Sequence, residues 1–226
     1  MMFEHKEIDL GYEDLKAVTT EKGRRYAVPS GGYYPSITTV LSILSEKGIA
    51  AWRKRVGHEE ADKISYRAST RGTAVHEIIE KYIDNKEDYR LGYMPNVVSD
   101  FFSIKPILDS RIGKVYAQEV PLYSDYLGVA GRVDCIAEFD GKLSVIDFKT
   151  SRRFKSHSHV TNYFQQEAFY AIAWEERTGI PITQLVTLIV VDDGSTQVFV
   201  EHRDDWAGEL QNTIEKYNER QYPRDS

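Results

Sequence analysis

The chain has 226 residues, 41% of them hydrophobic and 28% charged, with a formal net charge of −6; this suits a globular protein with one sizeable core. The acidic balance argues against a protein that coats nucleic acid by charge alone, and no apolar run approaches the ~18 residues of a membrane span. The one cysteine, Cys135, rules out an intramolecular disulfide and a cysteine-ligated zinc or iron–sulfur cluster.

The opening MMFEHKEIDLGYEDLK is acidic and has no signal-peptide apolar core, which points to the cytoplasm. TTEKGRRYAVP (19–29) reads as a hairpin turning at Lys22-Gly23. YPSITTVLSIL (34–44) offers Ser36 or Thr38 as an N-cap to a helix running to about Arg55, with a break near Gly48. STRGTAVHEIIEKYIDN (69–85) reads as a helix with Val75, Ile78, Ile79 and Tyr82 as its apolar stripe, and 96–111 as another helix. KVYAQEVPLYS (114–124) alternates like a strand, and GRVDCIAEFDGKLSVIDFKTS (131–151) like a hairpin. A helix over 159–179 ends at Gly179, two strands flank Asp193-Gly194, and a last helix takes about 203–219. The expected architecture is an α/β (α+β) fold, one domain over 1–226. A mostly helical N-terminal part (1–113) covers one side of a mixed central sheet flanked by helices (114–220).

The hairpin carries the chemistry. Asp140-Gly141 as a two-residue type I′ turn pairs Phe139 with Lys142, Ile136 with Val145 and Asp134 with Asp147. Opposed residues share a face, and Lys149 returns to that face while Phe148 and Cys135 point away. Two opposed carboxylates repel, and a divalent cation removes that repulsion; oxygen ligands suit Mg²⁺, Mn²⁺ or Ca²⁺. On the helices, His76 and Glu80 share one face, as do Gln166 and Tyr170. Each pair reads as a polar helix edge or as groups reaching toward the acids, and Glu119 as a third acid or a solvent-facing residue. WRKR (52–55) and SRRFK (151–155) are basic clusters.

Together these pieces resemble the RecB-like branch of the PD-(D/E)XK nuclease superfamily, whose ordered motifs stand here as GTAVH (72–76), GRVD (131–134), DFK (147–149) and QEAFY (166–170). Within that branch, YPSITTVLS, WRKR, the hairpin and LIVVDDGS (188–195) resemble the mitochondrial genome maintenance exonuclease family and its small phage and bacterial relatives, over roughly 34–220. The resemblance implies a restriction-endonuclease-like core and Mg²⁺-dependent hydrolysis of DNA, preferentially single-stranded with a free end, in a bacterium or phage-infected cell. Mn²⁺ is expected to substitute for Mg²⁺, and Ca²⁺ to support binding without cleavage.

It implies Asp134, Asp147, the Phe148 carbonyl and His76 as metal ligands, with Glu119 as a candidate third acid beside them. Lys149, with a lowered pKa where it serves as base, would position the attacking water, and Gln166 and Tyr170 would hold the scissile strand. Arg71, Arg132 (expected opposite Lys149), Ser151, Arg152, Arg153, Trp52 and Arg53 are expected to contact DNA. Tyr33, Tyr34, Trp52, Tyr66 and Tyr163 are candidates for base stacking. A structure-selective endonuclease on the same fold is the nearest rival reading, and a non-catalytic DNA-binding subunit a more distant one.

Overall fold

The computed structural model describes residues 2–221. Its centre is a five-stranded sheet in the order β4 (Ile112–Ser124), β5 (Val129–Phe139), β6 (Lys142–Ser151), β7 (Gln184–Val191) and β8 (Thr196–His202). All neighbours are antiparallel except β6 and β7, so the sheet is mixed, as expected. The β6–β7 crossover is the helix α5 (Thr161–Thr178), closed by a left-handed Gly179.

Helices cover both faces. On one, α5, α6 (Arg203–Gln221) and the short α1 (Ile37–Leu41) bury Trp174, Phe169 and Leu210 against Ile136, Val145 and Leu185. On the other, α3 (His58–Ile83) and α4 (Pro95–Arg111) bury Ile78, Ile79, Phe101 and Leu108 against Cys135, Phe139, Ile146 and Phe148. Alternate residues of β6 thus feed two separate cores, as the period of a strand requires.

A second, three-stranded antiparallel sheet is made of β1 (Ala17–Thr20), β2 (Gly23–Ala27) and β3 (Tyr33–Pro35). Its first turn sits at Glu21-Lys22, because Thr20 pairs with Gly23, one residue earlier than the sequence suggested. The break after α1 also differs. A 3-10 turn over Ser42–Leu44 precedes α2 (Glu46–Val56), and Gly48 lies inside that helix. Helix α3 starts at His58, eleven residues before the expected start. Among the described residues, no helix is long and apolar enough to cross a membrane.

The segment before β1 runs along the outer edge of β4. His5 bridges Val115 in parallel, Lys6 N–H donates to the Val115 carbonyl at 2.7 Å, and Val115 N–H to that of Glu4 at 2.8 Å. Phe3 anchors the segment, edge-on to Tyr82.

Candidate metal and nucleic-acid site

Asp140 and Gly141 have φ of 52° and 77°, which gives the tight turn that sets the hairpin register. Pairing runs from Phe139–Lys142 to Cys135–Ile146 and stops one pair short of Asp134–Asp147. Instead, Asp134 Oδ2 accepts a hydrogen bond from the Phe148 N–H at 2.9 Å. The ladder to β4 is interrupted at the same level, between Gln118–Cys135 and Val120–Val133, where Glu119 adopts a left-handed φ of 49°. A non-glycine residue in that conformation is costly and concentrates at functional sites. Here β5 changes faces: Val133 joins the α5 side and Cys135 the α3 side.

This local irregularity gathers ligands. One donor atom each from His76, Glu119 and Asp134 lie within 4.8 Å of one another. His76 approaches Asp134 with Nδ1 at 3.5 Å from Oδ2, and its Nε2 contacts the Phe148 carbonyl. Carboxylates, a carbonyl and one imidazole form a donor set suited to a hard divalent cation. Burial, then Asp134 and Glu80, push the Glu119 carboxyl up to about 7, as expected where acids crowd without a cation.

Asp147 lies beside this cluster, 1% exposed. Lys149 Nζ sits against it, donating to Oδ1 at 2.5 Å; Oδ2 is also at 2.5 Å but off the angle a hydrogen bond needs. Apart from that ammonium, Oδ2 has no hydrogen-bond donor among the described residues, which suits a further ligand atom for a cation. Burial raises the Asp147 carboxyl above the ordinary carboxylate range despite the Lys149 ammonium. For Lys149, burial opposes the charge, but Asp147 and Asp134 outweigh it and hold the ammonium above the usual lysine range. Without a cation present, the shift of Lys149 is thus upward, opposite to the lowering expected of a base, because the Asp147 carboxylate lies against its ammonium.

Gln166 and Tyr170 project from α5 as expected and are buried. Gln166 Nε2 lies 3.4 Å from Asp147 Oδ1, and the Tyr170 hydroxyl donates to the Arg132 carbonyl at 2.7 Å. Tyr170 thereby braces β5. This explains Gly131, since a Cβ there would come within 2.9 Å of the Tyr170 ring and 3.0 Å of Ile37. Tyr163 lies against the Lys149 ammonium, 5.3 Å from ring centroid to Nζ. The sequence reading missed Glu167, a fully buried acid held by the Thr187 hydroxyl. Burial, then Asp147, raise its carboxyl well above the ordinary range. Its place inside QEAFY was the signal available.

Two cavities lie along α3. One, about 460 Å³, is lined by Arg24, Gly72, His76, Glu119, Arg132 and Asp134. The other, about 330 Å³, lies between the first half of α3 (Arg67, Arg71) and Thr150, Ser151 and Arg152. Arg71 is ion-paired to Asp100 and Asp192. Arg132 faces Pro121 on β4 and not Lys149 on β6, because the β5–β6 ladder has ended; its guanidinium holds the Glu119 carbonyl and Asp14. Ser151 is buried and accepts from the Arg153 N–H at 3.3 Å. Trp52 and Arg53 lie on α2, where Arg53 pairs with Asp62 at 2.7 Å, and line neither cavity.

Residues 102–226, more than half of the chain, match the family model of the PD-(D/E)XK nuclease superfamily. The human protein named Mitochondrial genome maintenance exonuclease 1 is 29% identical over 130 residues, and its mouse counterpart 29% identical over 129. Each match covers 54% of this chain and 38% of the relative, so the matched part spans well under half the length of those proteins. A candidate exonuclease of Eubacterium rectale, known from a crystal structure, aligns over 66% of both chains at 11% identity and a TM-score of 0.41. On the family match, this chain belongs to the PD-(D/E)XK nuclease superfamily.

Proposed function

We propose that the protein is a divalent-metal-dependent DNA exonuclease acting on single strands with a free end. The observation that carries this reading is the convergence of His76, Glu119 and Asp134 beside the Asp147–Lys149 pair. His76, Glu119, Asp134, Asp147 and the Phe148 carbonyl would hold the metal, Mg²⁺ in the cell with Mn²⁺ as a substitute. When bound, it would polarise the phosphoryl oxygen and lower the pKa of a water.

The chain's own residues do the rest. Lys149, kept cationic by Asp147, offsets phosphate charge and orients the attacking water. Gln166 holds the Asp147 carboxylate from behind. Arg67 and Arg152 supply positive charge along the second cavity, where Arg71 is already paired to Asp100 and Asp192; this cavity serves as a path for the backbone.

The sparse burial of α2 and of the first half of α3 supports the reading of dependence on an end. Helix α2 has no buried residue, and in α3 only Ala61 is buried before Val75. The first half of α3 and the end of β6 line the second cavity together, and on this reading one strand threads between them. The printed names of the human and mouse relatives as exonucleases support the same reading. The test compares linear and circular single-stranded DNA of equal length in Mg²⁺. Degradation of the linear form alone is expected; equal rates would replace this reading with an endonuclease on the same fold.

A further inference from the structure

Arg24 lines the cavity that holds His76, Glu119 and Asp134, yet among the described residues its guanidinium has no hydrogen bond, ion pair or ring contact. The other arginine of that cavity, Arg132, is already committed to Asp14 and the Glu119 carbonyl. Arg24 thus has no direct partner among the described residues, in a cavity also lined by Glu77, Glu80, Glu119 and Asp134.

The backbone beneath it is gripped from both sides. Its N–H donates to Thr39 Oγ1 at 3.1 Å, and its carbonyl accepts from the Ser36 N–H at 2.8 Å. Ser36 Oγ in turn caps α1 through the Thr39 N–H at 3.1 Å and contacts Thr39 Oγ1 at 2.8 Å. The preceding Gly23 has φ of 100°, and a Cβ there would lie 2.4 Å from Thr39 Cγ2, so the turn presses directly on the start of α1. Helix α1 is itself fixed to the catalytic sheet: Ser36 bridges Ala130, and Ile37 packs over Gly131. The segment YPSITT is therefore a clamp joining the small sheet to β5, three residues before Asp134.

We propose that this clamp presents Arg24 to the substrate, where its guanidinium binds the non-bridging oxygens of the phosphodiester at the metal site. The inference rests on the nuclease reading and assigns a residue to that site. A guanidinium offers several donors in a fork that matches phosphate geometry. Its fixed backbone lowers the ordering cost of using them. Arg24 serves the cavity that holds Asp134, while Arg67 and Arg152 serve the second cavity along α3, so the strand would be held at two places.

The test uses wild type, Arg24→Ala, Arg24→Gln and Arg24→Lys. Binding of a single-stranded oligonucleotide is followed by anisotropy in Ca²⁺ across a salt series, and single-turnover cleavage is followed in Mg²⁺. Removing one phosphate contact should flatten the slope of log K against log salt by ~0.7, and Lys should restore it. Cleavage should fall roughly 10- to 100-fold in the Ala and Gln variants, the range for charge-assisted hydrogen bonds, and partly recover with Lys. Melting temperatures should match wild type, since the side chain is exposed and makes no hydrogen bond or ion pair among the described residues. An active wild type whose Ala and Gln variants keep its slope and rate overturns the role of Arg24 alone. A wild type inert in both Mg²⁺ and Mn²⁺ overturns the nuclease reading and this inference with it.

Discussion

Replacing Glu119 by Gln is expected to stabilise the metal-free protein, in a pH-dependent way. The carboxyl is raised from 4.5 to about 7, first by burial and then by Asp134 and Glu80. A raised carboxyl binds its proton more tightly in the folded state. Its contribution to stability is complete below about pH 4.5 and is lost as pH rises through about 7. At 1.36 kcal/mol per unit, the shift sets a ceiling of about 3.4 kcal/mol. Glu119 keeps partial contact with solvent, and screening reduces this to roughly 1–2 kcal/mol. For a chain of this size that corresponds to a melting temperature ~3–6 °C higher for Glu119→Gln at pH 8. The assay is thermal unfolding in EDTA from pH 4.5 to 8, with both proteins in the same buffers. The two curves should converge at the acid end and separate above neutrality. A gap that stays constant with pH, or a variant less stable at pH 8, would refute the idea that acid crowding strains the metal-free site.

Three further outcomes are expected. Lys149→Ala should leave oligonucleotide affinity in Ca²⁺ largely intact and cut Mg²⁺-dependent cleavage by orders of magnitude; substantial cleavage by this variant would remove the ammonium from the chemistry. Gly131→Ala should cost about 1–3 kcal/mol in chemical denaturation, because the added methyl lands on Tyr170 and Ile37; wild-type stability would show that the two side chains yield freely. Thr187→Val strips the partner from the buried Glu167 carboxyl and should cost roughly 1–3 kcal/mol; an unchanged midpoint would mean that this hydrogen bond adds nothing net.

Features with local causes were legible in the sequence. Asp140-Gly141 announces its turn through positive φ, Gly179 closes α5, and Ser36 caps α1 as one of two residues read for that role. From the turn, counting by twos places Asp147 and Lys149 on one face, and they do meet. The early start of α3 was not legible because residues 58–74 hold only a sparse apolar row, Ala61, Ile64 and Ala68, of which Ala61 alone is buried. Glu119 could not be read because glutamate disfavours a left-handed backbone; tertiary contacts at Arg132 support it. The ladder's early end follows from that kink, and with it the misplacement of Arg132. Arg24 escaped notice because it lies far in sequence from the acids, and only the Ser36–Thr39 clamp brings it near.

The segment along β4 has a consequence for handling the protein. β4 is a 13-residue boundary strand, and an uncovered strand of that length is a template for pairing with a second molecule. Residues 4–6 occupy part of that template. Trimming the chain back past Asp14 would uncover it and release Arg132 from its acidic partner in the same cut. Shortened versions should therefore tend toward aggregation and hold polyanions more tightly, two symptoms with a single origin.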